Sequence, residues 1–137
     1  MKKTILLLLC CILTLGETTF FASAEDNYGI AVCNNNVMIT DSNFAISNSG
    51  YTEILASYYG YPGITTGGVV TTKLQKKNGD TWTDVDEWVE EVTGDTFYQV
   101  YTLQLSTRGN YKVTIEYRVS GIGGPDDIIE EELLRTY

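Results

Sequence analysis

The chain has 137 residues, with 9 basic against 18 acidic side chains, a net charge of −9, and 43% apolar content. Such an acidic chain is a poor partner for nucleic acid or anionic membranes. It contains no histidine, which removes the Ser/His/Asp, Cys/His and His-zinc constellations that carry much hydrolytic and metal chemistry.

Lys2 and Lys3 lead into an apolar run over residues 5–15, and the segment closes on Ala22-Ser23-Ala24. This is the layout of a secretory signal peptide. The run is about half of the roughly 20 apolar residues that a membrane-spanning helix needs, so export with removal of residues 1–24 is expected. Cys10 and Cys11 make no lipobox, because Leu9 stands where a small residue is required. Removal leaves 113 residues with 7 basic and 17 acidic side chains, a net charge of −10. That is one small domain whose own hydrophobic core can hold it. Cys33 is then the only cysteine, so an internal disulfide cannot form. A small buried apolar role suits it, against the alternative of a reactive or intermolecular thiol. No wall-sorting motif or apolar tail precedes Tyr137, and the expected location is secreted, with no membrane attachment after cleavage.

Residues 25–36 are polar, include the run Asn34-Asn35-Asn36, and read as an N-terminal arm with a short strand around residues 30–33. Residues 37–137 are rich in β-branched and aromatic side chains, with turn signals about every 8–15 residues, as in an antiparallel sandwich or barrel. Strands are expected over residues 37–48, with a break near Asp41, and over 51–59, where Ile54, Ala56 and Tyr58 face one way. Asn48-Ser49-Gly50 joins them. Residues 58–63, Tyr-Tyr-Gly-Tyr-Pro-Gly, read as a loop. Residues 69–76 alternate Val70, Thr72 and Leu74 against Thr71, Lys73 and Gln75. Asn78-Gly79 follows, a strong hairpin signal because both residues tolerate the positive φ of a type I′ turn. The return strand runs from residue 81 to about 89; Trp82 and Val85 break its alternation, which a β-bulge or a sharp twist reconciles. Residues 98–105 place Tyr101, Leu103 and Leu105 on one side. The clearest strand is 111–119, where Tyr111, Val113, Ile115, Tyr117 and Val119 alternate with Lys112, Thr114, Glu116 and Arg118. A Gly-rich loop over 121–125 precedes residues 127–134. Asp126 and Asp127 suit a helix start there, but the strand count favours a strand.

A strand, a Gly-Asn-Tyr corner and a long alternating strand resemble the E–F corner of an immunoglobulin-like sandwich, where a Tyr opening strand F sends its hydroxyl back to the upstream backbone. Tyr111 holds that place, although a jelly roll gives the same local pattern. The expected fold is all-β, an immunoglobulin-like antiparallel β-sandwich of about seven strands.

Leu74-Gln75-Lys76-Lys77, then Asn78-Gly79, Trp82, Val85 and Trp88, and later Gly109-Asn110-Tyr111-Lys112-Val113, form a pattern that resembles small exported proteins of Gram-positive, mostly clostridial, bacteria. These belong to a domain family of unknown function. The likeness spans residues 44–119, including Ile46-Ser47 and the stretch 50–56. It implies a secreted β-sandwich of uncharacterised role and brings no catalytic residue.

Three groups of residues are candidates for a site. Trp82 and Trp88 offer either a sugar-stacking platform or core packing. Tyr58, Tyr59 and Tyr61, in six residues with Gly and Pro, offer rigid amphipathic rings on a binding loop; the alternative is a core Tyr58 with Tyr59 and Tyr61 as its cover. The third group is acidic: Asp80, Asp84, Asp86, Glu87, Glu90 and Glu91 in one stretch, and Asp126, Asp127, Glu130, Glu131 and Glu132 in another. Spacing puts Asp84 and Asp86 on one face of a regular strand. Oxygen ligands suit calcium, most plausibly over residues 123–127 and through Asp126 and Asp127, but a solvated acidic surface accounts for both stretches without a cofactor. Paired carboxylates can hydrolyse glycosides without histidine, yet that chemistry needs a deep cleft, which a sandwich this small rarely has. The expectation is a non-catalytic extracellular binding module for protein or glycan, against a purely structural or accessory secreted domain.

Overall fold

The computed structural model describes residues 34–137. The leader expected over residues 1–24, the short strand expected around residues 30–33 and Cys33 lie outside the described residues.

Seven strands follow one another: β1 (Val37–Ile46), β2 (Tyr51–Gly60), β3 (Thr65–Asn78), β4 (Thr81–Thr93), β5 (Thr96–Gln104), β6 (Asn110–Gly121) and β7 (Asp127–Thr136). They make two antiparallel sheets, β1-β2-β5 (sheet A) and β4-β3-β6-β7 (sheet B). The fold is all-β, a seven-stranded sandwich, and the final element is a strand rather than a helix.

Strand alternation fills the space between the sheets. Ile54, Ala56 and Tyr58 of β2 meet Val70 and Leu74 of β3 and the row Tyr111, Val113, Ile115, Tyr117 and Val119 of β6, all within one buried cluster. Burying each large side chain of this kind contributes about 1.5–3 kcal/mol. Tyr58 stacks on Phe97 at 5.9 Å between ring centroids and meets Tyr117 edge-on at 6.5 Å. At the start of β6 the Tyr111 hydroxyl donates to the Thr107 carbonyl four residues upstream, at 2.6 Å, which fastens the corner between β5 and β6.

The two flanks differ. On one, β1 lies over β7, and Thr40 Oγ1 and Ser42 Oγ donate to the two oxygens of Glu131. On the other, Trp88 of β4 stacks on Tyr101 of β5, with centroids 4.7 Å apart and planes 19° from parallel.

Several boundaries differ from the sequence reading. The β3–β4 turn sits one residue later than Asn78-Gly79: Asn78 pairs with Thr81, and Gly79 at φ +62° opens the turn. β3 begins four residues before the expected start, because Thr65-Thr66-Gly67-Gly68 carries no strand signal of its own. The glycines are there for close approach: a Cβ on Gly68 would stand 2.2 Å from the Arg118 carbonyl oxygen. β1 is unbroken at Asp41, and its irregularity lies between Val37 and Ile39. The arm does not end at residue 36 as a loose segment. Asn36 is fully buried and donates from Nδ2 to the carbonyls of Pro125 at 2.8 Å and Val119 at 3.3 Å.

The expected irregularity in β4 is a bulge. Leu74 pairs with Asp86 and Gln75 with Asp84, so Val85 is left without a partner.

Candidate functional site

The bulge decides what the tryptophans can do. Residues 82 and 88 are six apart and would share a face of a regular strand. With Val85 looped out, Trp82 pairs with Lys77 and Trp88 with Thr72, five residues apart on β3, so the rings emerge on opposite faces. Trp88 packs against the core. Trp82 lies on the outer face of sheet B with the Lys112 ammonium 5.0 Å from its ring centroid. A shared platform of Trp82 and Trp88 is therefore not formed. The same shift separates Asp84 from Asp86, contrary to the expectation that both carboxylates share a face.

The three tyrosines are dispersed as well. β2 continues through Gly60, so residues 58–60 are strand and not loop. Tyr58 is 0% exposed, which corrects its assignment as a binding residue: it is a core ring. Tyr61 is half-buried in a tight turn, where its N–H donates to Thr65 Oγ1 at 2.8 Å and its carbonyl accepts from the N–H groups of Ile64 and Thr65, both at 3.0 Å. Tyr59 alone of the three stands on an open strand face, 47% exposed.

The acidic stretches have a structural position that sequence spacing did not show. Asp84, Asp86, Glu87, Glu90 and Glu91 lie on β4, and Asp127, Glu130, Glu131 and Glu132 lie on β7. These are the two edge strands of sheet B. Like charges along an edge oppose pairing with another chain. The inner strand β3 carries Lys73, Lys76 and Lys77 and no acid, so cross-strand pairs form, such as Lys73 with Glu87 at 3.3 Å. Towards the opposite edge of the same face Lys112 pairs with Glu132, also at 3.3 Å.

A calcium site at Asp126 and Asp127 does not fit this geometry. Asp127 is buried and its carboxylate accepts three backbone N–H groups: Asn35 at 2.9 Å on Oδ1, and Asn36 at 2.6 Å and Val37 at 2.9 Å on Oδ2. Asp126 is exposed beside it. Among the described residues no group of three His, Cys, Asp or Glu side chains is placed to hold a metal ion.

The strongest surface feature is the outer face of sheet A, which sequence reasoning missed except for Tyr59. Register sets it in rows: Ile39, Tyr59 and Thr96; Asp41, Ser57 and Tyr98; Asn43, Leu55 and Val100. Tyr98 is 63% and Ile39 57% exposed. Between the rings Ser57 is 2% exposed and donates its hydroxyl to the Asp41 carbonyl at 3.1 Å. Asp41 and Glu53 are the only charged residues in the three strands of this sheet, in a chain that is otherwise densely acidic. The result is a weakly charged face on which aromatic and branched side chains stand exposed.

Beneath both sheets three tyrosine hydroxyls are held neutral. Burial pushes the pKa of Tyr117 up far beyond its ordinary value of 10.0, and the Glu131 carboxylate adds to the shift. Burial also raises Tyr58, with Asp95 adding, and Tyr101, with Glu90 adding and the Thr72 hydroxyl opposing. The unfolded chain releases these protons near pH 10 while the folded one keeps them, so the unfolded state binds fewer protons above that pH. Between pH 8 and about pH 9 stability should thus hold level and then fall, with Tyr117 contributing up to about 1.4 kcal/mol per pH unit. Urea unfolding from pH 8 to 11 checks this, and Tyr117→Phe should flatten the slope.

Comparison with known protein families and with curated proteins finds no match to this chain in either.

Proposed function

We propose that the chain is a secreted, non-catalytic binding module that recognises an extracellular protein or glycan through the outer face of sheet A. The observation that carries this reading is the exposure of Tyr59, Tyr98 and Ile39 together on one face with few charges. Soluble proteins seldom leave contiguous apolar surface open unless it meets something. Tyrosines supply large rigid contact area at low conformational cost, and their hydroxyls can pair with a polar ligand.

We read the sandwich as immunoglobulin-like. The order β1-β2-β5 against β4-β3-β6-β7 supports that reading, as does the Tyr111 bond at the corner before β6. Export is read from the leader over residues 1–24.

The test is ligand capture on a glycan array and from the surroundings of the producing cell. Replacing Tyr59 and Tyr98 together by Ser should weaken capture at least tenfold, which is about 1.4 kcal/mol. Stability should change by about 0.5 kcal/mol or less per site, as for other surface changes. Undiminished capture by the double variant would remove the face from consideration.

A further inference from the structure

The two sheets are unequal in width. Sheet A has three strands and sheet B four. Glu131 of β7 bonds Thr40 and Ser42 of β1, and Tyr58 of β2 packs edge-on against Tyr117 of β6, so the sheets are aligned along the β1/β7 flank. The surplus strand therefore projects on the opposite flank, where β4 extends past β5 by about one strand spacing, roughly 4.8 Å.

The inner face of that overhang has a defined chemistry. Asp86, Trp88, Glu90 and Val92 pair with Leu74, Thr72, Val70 and Gly68, and Leu74, Thr72 and Val70 are wholly buried inward residues. The row thus alternates acidic and apolar. Trp88 and Val92 are half-buried against the core, the Trp88 ring stacked on Tyr101 of β5, which leaves part of each side chain open on the overhang. On the outer face Asp84 and Glu87 share the Lys73 ammonium, at 3.9 and 3.3 Å; Asp86 and Glu90 have no cation within salt-bridge distance among the described residues.

Beside the overhang runs the edge of β5, which has no strand partner on that side among the described residues. Its sequence, TFYQVYTLQ, has no charged residue, whereas the edges of sheet B carry four or five acids each. An uncharged, β-prone edge presents unpaired N–H and C=O groups with none of the usual protection against strand pairing.

We propose that this gap is a strand-addition site. An extended segment of a partner protein pairs with β5 as the fourth strand of sheet A, and its inward residues alternate apolar and basic to lie over Val92, Glu90, Trp88 and Asp86. This rests on the reading of the chain as a binding module and names the ligand as a basic, extended peptide. Main-chain bonds supply affinity in such complexes, and alternate side chains supply specificity. A second copy of the chain does not fit. Joining two β5 edges would set six strands above eight and drive the two acidic β4 strands into one another.

The experiment uses the Trp82→Phe protein, in which Trp88 is the remaining tryptophan of the described residues. The probe is a nine-residue peptide, the length of β5, with Thr at odd positions and Val, Lys, Val, Lys at even ones. It should shift the Trp88 emission to the blue saturably. The same peptide with Glu for Lys should bind at least tenfold more weakly, and Asp86→Asn with Glu90→Gln should erase that preference. Two versions N-methylated on alternate residues should differ, since only one set of amides points at β5. Absence of a shift with the Lys peptide, equal binding of both N-methylated versions, or a shift that tracks dimerisation of the protein overturns the proposal. If the peptides fail while Tyr59→Ser with Tyr98→Ser still abolishes capture, strand addition falls and the face remains; the converse removes the face and leaves the edge.

Discussion

Asp127→Ala should lower folding stability by about 3–5 kcal/mol, since each buried amide left without its acceptor costs about 1–3 kcal/mol. The carboxylate holds the N–H groups of Asn35, Asn36 and Val37, and hydrogen bonds to a charged acceptor are each worth about 1.5–3 kcal/mol. Truncation deletes the acceptor and leaves the amides of two fully buried residues, Asn36 and Val37, without a partner. It also loosens the start of β1 from the start of β7. Asn36 would lose its footing there, since its side chain bonds the Pro125 and Val119 carbonyls and accepts from the Gly123 N–H at 3.3 Å. Asp127→Asn should recover only part of the loss, because its NH2 group turns a donor towards donors. Asp126→Ala, on an exposed neighbour, should change stability by about 0.5 kcal/mol or less. Urea midpoints of the three variants decide the matter, and an Asp127→Ala protein as stable as wild type would show that the three amides find other acceptors.

Tyr58→Ala should cost about 3–5 kcal/mol, as large aromatic truncations in cores do, because the ring fills the space between Phe97 and Tyr117. Tyr58→Phe should go the other way. The hydroxyl is buried without a hydrogen-bond partner, and removing an unsatisfied polar group while keeping the ring should stabilise the fold by about 1 kcal/mol. Calorimetry on both variants separates the contribution of the ring from that of its oxygen. A Phe variant less stable than wild type would mean that the hydroxyl is bonded in solution.

How far the sequence could be read follows from which interactions are local. β6 was legible from end to end because one face is apolar and the other wet, the signature of a strand with a single buried side. The irregularity in β4 was legible from the spacing of Trp82 and Val85, but its effect on the faces of Trp82 and Trp88 needed the pairing with β3. The loop reading of residues 58–63 began too early because Gly60 and Pro62 are turn formers, whereas the strand expected to end at Tyr59 runs on through Gly60. Nothing in β5 signalled an exposed face: Phe97 and Tyr101 point inward while Tyr98 and Val100 point outward, so both sides are apolar and no period stands out. The face of sheet A unites residues from three separate segments, as Ile39, Tyr59 and Tyr98 show, and becomes visible only through the register. The overhang of β4 is still less local, because it depends on how seven strands are divided between two sheets.

Val85 changes the phase of a strand halfway along it. Before the bulge the even-numbered residues Trp82 and Asp84 face outward; after it the even-numbered residues Asp86, Trp88, Glu90 and Val92 face the space between the sheets. The extra residue uncouples the parity of the two halves, so a residue gained or lost near the Gly79 turn can be absorbed at position 85 without turning Trp88 and Val92 out of the interior. The β3–β4 hairpin is thus free to vary in length and reach while the wall behind it stays in place.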